Sequence, residues 1–283
     1  PYTTLFRSQA HCPIFTVIGR EPYVARGKVR LIREMLDHNL DPTPKLRHYL
    51  DMCLGCKSCV VNCPAKVETD KLVMAARNHY VDEQGLPLIF YIALKHVMAN
   101  PGMFKLGIRS MGLFQKLNLN KVLGKDLRKR MEILPPIPRQ TFKEQMPGIE
   151  FKRGLPRRVG FFLSCMDNLM FPQAAKACIQ VLQTHDWEVV IPENVVCCGG
   201  PHYAYGAWDT ARELAEKNIK AFREAGVSAI VTDCATCGSV LKDYGQFFAE
   251  GSEMYRLAQE FSDKVYDINC FLVNQVDVKS GPH

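Results

Sequence analysis

The sequence predicts an α+β protein in which a helical amino-terminal part precedes an α/β part with a parallel sheet. Two observations support this class. Apolar residues recur at helical spacing in the first part, whereas short apolar runs alternate with helical stretches after Arg158. The chain has 283 residues, enough for two domains, and its apolar fraction of 47% is typical of an ordinary buried core.

The first part contains two predicted helices and an apolar segment. One helix, over residues 25–39, is indicated by an apolar face formed by Val29, Ile32, Met35 and Leu36. A second helix is expected over residues 69–80. The apolar segment, residues 86–123, is interrupted by proline and glycine and therefore predicts broken helices.

The second part alternates between predicted strands and helices. The strands are expected at residues 159–165, 187–192 and 229–234. The helices are expected at residues 173–185, 208–225 and 235–244. This β-α-β-α-β-α order predicts a parallel sheet covered by helices.

A dense cysteine run lies in the first part, with the spacing C-x2-C-x2-C-x3-C-P of bacterial ferredoxins. Its members are Cys53, Cys56, Cys59, Cys63 and Pro64. Such short spacings suit a [4Fe–4S] cluster better than a single tetrahedral zinc ion. A zinc site and free thiols are the alternatives. The run predicts a ferredoxin-type domain.

Cys12 and Pro13 have the form of the end of another such run. In two-cluster ferredoxins, the fourth cysteine of each run binds the other cluster. We therefore expect Cys12 to join Cys53, Cys56 and Cys59 on one [4Fe–4S] cluster. Cys63 would belong to a first [4Fe–4S] cluster whose other three ligands precede this sequence.

The first eight residues, PYTTLFRS, have no initiating methionine. They back-translate to CCC TAC ACG ACG CTC TTC CGA TCT, the end of a common sequencing adapter. We expect residues 1–8 to be translated adapter and the natural chain to begin near Gln9. A natural terminus of unusual composition is the alternative, and recovery of a gene that codes continuously through residues 1–8 would establish it.

A second cysteine array, C-x31-C-C-G-x34-C-x2-C, lies in the second part. Its members are Cys165, Cys197, Cys198, Cys234 and Cys237. Cys165 and Cys234 each lie where a predicted strand ends, and Cys197 and Cys198 follow one within a few residues. The carboxyl ends of parallel strands meet at one edge of the sheet, so the five cysteines can converge there. Adjacent cysteines cannot easily bind one metal ion together but can bind different irons of a cluster. A redox-active cluster is therefore predicted, with a zinc site and a metal-free reactive dithiol as alternatives.

Two features beside this array favour a cluster. Gly199 and Gly200 permit an unusual backbone conformation and a close backbone approach. Cys237 begins a predicted helix, whose amino-terminal dipole stabilises a thiolate and a negatively charged cluster. Cys178 lies on an apolar helical face and is interpreted as a small buried hydrophobe, and Cys270 is assigned no role.

Composition limits the setting and the partners. The 12 cysteines occur mostly in clusters within a long chain, which favours metal binding in a reducing compartment over disulfides. The net charge is +7, with much of the excess between Lys121 and Arg158. That region is interpreted as a solvated face, with docking to an acidic partner or an anionic membrane surface as the alternative. No recognition motif suggests nucleic acid.

Membrane insertion is not expected. The most apolar stretch, residues 86–99, is too short to span a bilayer and contains Lys95 and His96. The expected location is the cytoplasm, and peripheral contact with the inner face of the membrane is left open.

The two cysteine arrays and their flanking residues resemble the iron–sulfur subunit of the glycolate oxidase family. The segments that carry the resemblance are CPIFTVIGREPYVARGKVRLI from Cys12, CLGCKSCVVNCP from Cys53, CCGGPHYAYGAWDTARELAEKNI from Cys197 and VTDCATCGSVLKDY from Val231. Related families are the iron–sulfur subunits of anaerobic glycerol-3-phosphate dehydrogenase, of lactate oxidation and of heterodisulfide reductase.

The resemblance implies two ferredoxin clusters followed by two cysteine-rich CCG domains. It implies that Cys165, Cys197, Cys198, Cys234 and Cys237 bind an Fe–S cluster, for which the noncubane [4Fe–4S] form of heterodisulfide reductases is one option. Here the first ferredoxin run is incomplete and no second CCG domain follows about Asp267. Both departures are expected of a fragment.

The expected domains follow from these patterns. Residues 9–80 form a partial helical ferredoxin domain, and residues 81–156 form a helical connector that ends in a Pro-rich basic linker at 134–156. Residues 157–270 form the CCG domain, and residues 271–283 form a truncated tail.

The predicted function is electron transfer within a flavin-dependent 2-hydroxy-acid oxidoreductase of the glycolate or lactate type. The resemblance implies an FAD-binding oxidase subunit as electron donor and a quinone or a carrier protein as acceptor. No residue is assigned to substrate catalysis. One alternative is a heterodisulfide-reductase-like subunit whose CCG cluster reduces a disulfide, and another is a zinc-stabilised interaction module.

Overall fold

A computed structural model describes residues 7–117, 134–149 and 151–275. The chain divides into two compact units. The first, here called the helical unit, comprises Pro1–Phe90 and Pro201–Trp208. The second, here called the sheet unit, comprises Tyr91–Gly200 and Asp209–His283. Part of the segment predicted to be adapter, residues 1–6, lies outside the described residues.

The helical unit is built from short helices. They are α1 (Arg7–Ala10), α2 (Pro13–Ile18), a 3-10 turn (Glu21–Tyr23), α3 (Ala25–Leu36), α4 (Pro44–Asp51), α5 (Ser58–Val61), α6 (Thr69–Gln84) and α7 (Leu88–Tyr91), the last of which ends at the first residue of the sheet unit. The helices predicted at 25–39 and 69–80 are thus confirmed as α3 and α6. The α4 helix begins where Thr43 Oγ1 accepts a hydrogen bond from Leu46 N, with proline at the first helical position.

The apolar faces of α3, α4 and α6 form the core of the helical unit. Its members are Ile32, Met35, Leu46, Leu50, Val73, Ala76 and Tyr80. Leu50 and Val73 have no exposed surface, and burial of each such side chain stabilises the fold by about 1.5–3 kcal/mol. This small core holds α4 and α6 on either side of the cysteine run.

The sheet unit contains a four-stranded parallel sheet in the order β2-β1-β3-β4. The strands are β1 (Arg157–Phe161), β2 (Trp187–Val190), β3 (Ala229–Thr232) and β4 (Val265–Asp267). The first three confirm the predicted strands, although each ends earlier than expected. β1 and β3 end before the residues that lead to Cys165 and Cys234, and β2 ends before Pro192, which has no N–H for the ladder. β4 was not predicted, since three residues give no recognisable period.

Helices surround this sheet. They are a π-helix (Ile92–Met98), α8 (Pro101–Lys116), α9 (Phe142–Gln145), a 3-10 turn (Met146–Gly148), α10 (Cys165–Leu169), α11 (Pro172–Thr184), α13 (Trp208–Ala225), α14 (Ala235–Lys242), a 3-10 turn (Tyr244–Phe247), α15 (Glu253–Asp263) and α16 (Ile268–Gln275). The short helix α12 (Gly200–Ala204) lies at the start of the segment that belongs to the helical unit. The predicted broken helices are confirmed as far as residue 117, and residues 118–123 of that prediction lie outside the described residues. The three predicted helices of the second part are confirmed.

The segment predicted to be a Pro-rich linker also contributes to the core of the sheet unit. Phe142 is fully buried and packs in the same cluster as Phe161, Ile179 and Phe271. A capping box fixes the start of α9, because Thr141 Oγ1 accepts from Glu144 N while Glu144 Oε2 accepts from Thr141 N. The described part of this segment is therefore anchored rather than free.

The fold class is α+β, as predicted, with a small parallel sheet in a largely helical chain. Of the 11 basic residues between Lys121 and Arg158, the five between 121 and 130 lie outside the described residues. In the ranges that are described, no helix combines the length and apolar character that a membrane span requires.

Candidate metal centres

The helical unit contains a cleft that gathers four cysteines. Cys12, Cys53, Cys56 and Cys59 all line it, and its empty volume is about 440 Å³ including the open mouth. Cys12 precedes α2, Cys53 follows α4, and Cys59 lies on α5. The structure therefore brings together the four thiols expected to share one cluster.

The loop between Cys53 and Cys59 turns sharply enough to direct its thiols to one place. Gly55 and Lys57 both have left-handed backbones, with φ of 63° and 57°. A side chain at position 55 would also meet Met74 Cε at 3.0 Å. Such a conformation is easy for glycine but strained for lysine, which indicates that the surrounding fold imposes it.

Cys63 lies apart from this set. It is half-buried and is not among the residues that line the cleft. This placement is compatible with the predicted exchange, in which Cys12 replaces Cys63 as the fourth ligand. The ligation itself stays a prediction.

Charge in the cleft is negative when the thiols ionise. Burial, together with Cys53 and Cys56, raises the pKa of Cys59 because neighbouring thiolates repel one another. A buried cation faces the same space: Lys28 is 2% exposed, lines the cleft and donates from Nζ to the Tyr23 carbonyl. Four thiols beside a cation form a donor set that fits an iron–sulfur cluster.

Arg77 secures the backbone beside this cleft. Its Nη2 donates to the carbonyls of Leu50 and Cys53, both at 2.7 Å, and its Nη1 donates to Ala204 O at 2.7 Å. Burial lowers the pKa of this guanidinium, which is 7% exposed. Sequence reasoning missed this residue, and its position on the buried face of α6 was the signal available.

The sheet unit brings the second cysteine array together at the carboxyl ends of its strands. Cys165 begins α10 after β1, Cys198 lies in the loop after β2, and Cys234 caps α14 after β3. Hydrogen bonds link the thiols in the order Cys165, Cys197, Cys198, Cys237 and Cys234. The predicted convergence of these five residues is confirmed, although their role as ligands is not tested by it.

The five thiols differ in acidity. Hydrogen bonding to Cys197, with burial, raises the pKa of Cys165, and hydrogen bonds to Cys198 and Cys234 raise the pKa of Cys237. The hydrogen bond with Cys197 likewise raises the pKa of Cys198, although its hydrogen bond with Cys237 acts in the opposite direction. In contrast, the hydrogen bond from Cys237, helped by backbone N–H groups at the start of α14, lowers the pKa of Cys234 to about 6.

This pattern suits metal binding. Crowded buried thiols resist ionisation because each new thiolate repels the others, and positive iron ions remove that penalty. Within the described ranges, no three Cys, His, Asp or Glu side chains are arranged as ligands of a single metal ion. The chain of hydrogen-bonded thiols supplies the sulfur donors that iron–sulfur clusters bind.

The glycines after the Cys197–Cys198 pair have the properties predicted for them. Gly199 has φ of 83°, and a side chain there would meet the Ala211 backbone at 3.4 Å. A side chain at Gly200 would lie 3.4 Å from Cys198 Sγ and 3.3 Å from Val240. Glycine is therefore needed for the turn and for the close approach of backbone to sulfur.

Two buried polar residues hold the Cys197–Cys198 pair, and sequence reasoning missed both. Asn218 Nδ2 donates to Cys197 O and to Tyr244 Oη, each at 3.0 Å, and its Oδ1 accepts from Val196 N at 2.9 Å. Tyr244 Oη donates to Cys198 O at 3.1 Å. Both side chains have no exposed surface. The available signal was an asparagine on the apolar face of α13.

An acidic pair lies beside the array. Burial, together with a hydrogen bond to Asp167, raises the pKa of Asp233 to about 7. Cys178 Sγ donates to Asp233 Oδ2 at 3.8 Å, and burial raises the pKa of this thiol to about 12. Cys178, interpreted as a small buried hydrophobe, is half-buried and packs against the core of the sheet unit, whereas Cys270 is exposed.

Comparison with known families agrees with both centres. Residues 7–67 match the 4Fe-4S dicluster domain, and residues 159–242 match the Cysteine-rich domain. The chain is 28% identical over 280 residues to the probable glycolate oxidase iron-sulfur subunit of Bacillus subtilis, an alignment that covers 93% of this chain. The chain is a homologue of the glycolate oxidase iron–sulfur subunits. It is thus an iron–sulfur protein with a 4Fe–4S domain and a cysteine-rich domain.

Other relatives extend this homology. The glycolate oxidase iron-sulfur subunit of Escherichia coli is 27% identical over 92% of this chain and 61% of its own length. Lactate utilization protein A of Shouchella clausii is 30% identical over 43% of this chain and 50% of its own length. The chain spans 62% of the length of the B. subtilis homologue, or about three fifths. No solved structure matches the chain.

Proposed function

We propose that this chain transfers electrons within a flavin-dependent oxidoreductase that acts on a 2-hydroxy acid such as glycolate or lactate. The observation that supports this most strongly is the pair of thiol sets, one in each unit, each suited to an iron–sulfur cluster. The names of the homologues, glycolate oxidase and lactate utilization, supply the substrate class.

The proposal divides the chemistry between subunits. A flavoprotein partner would remove two electrons and two protons from the hydroxy acid to give a 2-oxo acid. This chain would receive the two electrons one at a time and pass them to a quinone or a carrier protein. When bound, iron–sulfur clusters supply the capacity for such single-electron steps.

The residues of the chain would hold and shield the two centres. Cys12, Cys53, Cys56 and Cys59 would bind a [4Fe–4S] cluster in the helical unit, and Cys63 would bind the other cluster of the dicluster domain. In the sheet unit, the array would bind a further cluster, for which the noncubane form is proposed. Its ligands would be Cys165, Cys197, Cys198, Cys234 and Cys237. Asn218 and Tyr244 would keep the adjacent cysteines in place by holding their carbonyls.

The first experiment is anaerobic iron and acid-labile sulfide analysis with EPR, on the chain and on two variants. About 8 Fe per chain is expected, because each four-iron centre contributes four. The Cys198→Ser variant should lose about 4 Fe. The matched Cys63→Ser variant should keep all of its iron, because Cys63 lies outside the cleft and is the one ligand proposed from this chain for the other ferredoxin cluster. About 4 Fe in both the chain and Cys198→Ser would contradict a cluster on the array.

A second experiment tests the direction of electron flow. The chain, reconstituted with iron and mixed with a glycolate-oxidising flavoprotein subunit, should lose its visible cluster absorption after glycolate is added. Cys56→Ser should slow this bleaching. Disulfide reduction by the chain with reduced viologen as donor, without bleaching by the flavoprotein, would instead establish a heterodisulfide-reductase-like activity.

A further inference from the structure

We propose that Lys28 sets the reduction potential of the cluster held by Cys12, Cys53, Cys56 and Cys59, raising it by placing a buried positive charge beside the cleft. The inference rests on the proposed function, since it requires a cluster there. It assigns a tuning role to a residue that lies between the two cysteine motifs and ligates nothing.

Lys28 is unusual because it is a lysine with almost no access to water. It belongs to the amphipathic helix α3, where a lysine would ordinarily reach solvent. Its side chain instead turns inward, remains 2% exposed and lines the cleft beside Cys12, Cys53 and Cys59. Its hydrogen-bond acceptor is the Tyr23 carbonyl, which also accepts from Cys12 Sγ at 3.8 Å.

The lining of the cleft identifies the counterpart of Lys28. Cys12, Cys53 and Cys59, three of the four proposed ligands, line the same cleft as this side chain. Burial lowers the pKa of Lys28, and the charges of these thiols oppose that shift. A buried ammonium is costly unless it is paired, so a negatively charged centre in the cleft is its natural partner.

The effect on redox chemistry follows from charge. A reduced cluster carries one more negative charge than an oxidised one. A nearby cation therefore stabilises the reduced form more and raises the potential, and the low dielectric of a buried site strengthens this effect. Removal of the charge should lower the potential.

The same cleft offers a matched control. Lys57 also lines it, but its side chain is 37% exposed and its Nζ lies 3.9 Å from Asp70 Oδ2. Solvent and the carboxylate both screen this charge. Lys57→Met should therefore shift the potential much less than Lys28→Met.

The test is a potentiometric EPR titration of the reconstituted chain, with iron content and melting temperature measured on the same samples. Lys28→Met and Lys28→Gln should give a lower midpoint potential, Lys28→Arg should stay close to the wild type, and Lys57→Met should shift little. Glutamine retains a donor for the Tyr23 carbonyl, so it separates charge from hydrogen bonding. An unchanged potential in a neutral variant that holds a full cluster would overturn the inference.

Failure of cluster assembly is also informative. Loss of iron in both neutral variants, with retention in Lys28→Arg, would support the inference that the cluster needs a positive charge at position 28. Loss in Lys28→Arg as well would mean that the residue is structural, and the inference would fall. If wild-type chain holds no cluster in the helical unit, as judged by equal iron in the wild type and Cys56→Ser, the proposed function fails instead.

Discussion

The two thiol centres of this molecule are built in opposite ways. In the helical unit, three of the four thiols come from one short loop, Cys53 to Cys59, and the cleft is open to solvent at Cys56. In the sheet unit, five thiols come from three separate strand ends, and Cys197, Cys198 and Cys237 are buried. The local loop is shaped by the turn at Gly55 and lies beside the cation of Lys28. The distributed array depends on the whole sheet and on the buried side chains of Asn218 and Tyr244.

The largest expected effect concerns the helical unit. Arg77→Ala should lower its free energy of unfolding by about 3–5 kcal/mol, because one buried and two partly buried carbonyls lose a charged donor. Chemical denaturation followed by cluster absorption would measure the loss. The half-buried neighbour Asn78 gives the control, since its side chain donates to Asp82 Oδ2 in an exposed hydrogen bond and Asn78→Ala removes no buried one. Equal stability of Arg77→Ala and wild type would show that the Cys53–Cys59 loop keeps its position without these hydrogen bonds.

Asn218→Ala should destabilise the sheet unit by about 2–4 kcal/mol, because it leaves Val196 N, Cys197 O and Tyr244 Oη short of a partner. Iron analysis should show loss from the array while the helical unit keeps its cluster. Lys217→Ala, on the exposed side of the same helix, should do neither. Full iron content in Asn218→Ala would mean that the cysteine pair does not depend on this clamp.

Gly199→Ala should cost about 1–2 kcal/mol, because alanine is strained at the φ of 83° found there. Gly226→Ala is the matched variant, with φ of 60° and no atom near the added carbon. Both should lower the melting temperature, but only the first should reduce iron content. A similar iron content in both variants would show that backbone strain at position 199 does not affect cluster binding.

The smallest expected effect is the change in melting temperature caused by substitution of Glu144, on α9. Hydrogen bonds from Lys105 and from the Thr141 backbone lower the pKa of Glu144 to about 2. The contribution of the ionised Glu144 side chain to the stability of the fold is therefore complete above the unfolded-state pKa of about 4.5. This contribution is lost only as the pH falls towards 2. Glu144→Gln should lower the melting temperature slightly and by the same amount from pH 8 to pH 5, with no loss of iron. A difference that changed with pH across that range would contradict the low pKa.

Local patterns allowed much of this structure to be predicted. The helices α11, α13 and α14 and the first three strands follow from periodicity, and the cysteine spacings indicated which thiols belong together. The edge strand β4 is too short to leave a periodic signal. Arg77 and Asn218 lie on the buried faces of their helices, but they and Tyr244 act through partners far away in sequence, which no local pattern identified. Lys28 was not predicted either, because the amphipathic pattern of α3 is typical of a surface helix whose lysines reach solvent.

The placement of Pro201–Trp208 in the helical unit has an evolutionary consequence. This segment lies between Cys198 and α13, inside the stretch that matches the Cysteine-rich domain, yet Arg77 holds it through Ala204 O. A recombination break anywhere in residues 134–156 would therefore separate the helical unit from one of its own pieces. Homologous chains should inherit the two domains together, and hybrids that exchange them should fold only when residues 201–208 travel with the amino-terminal half.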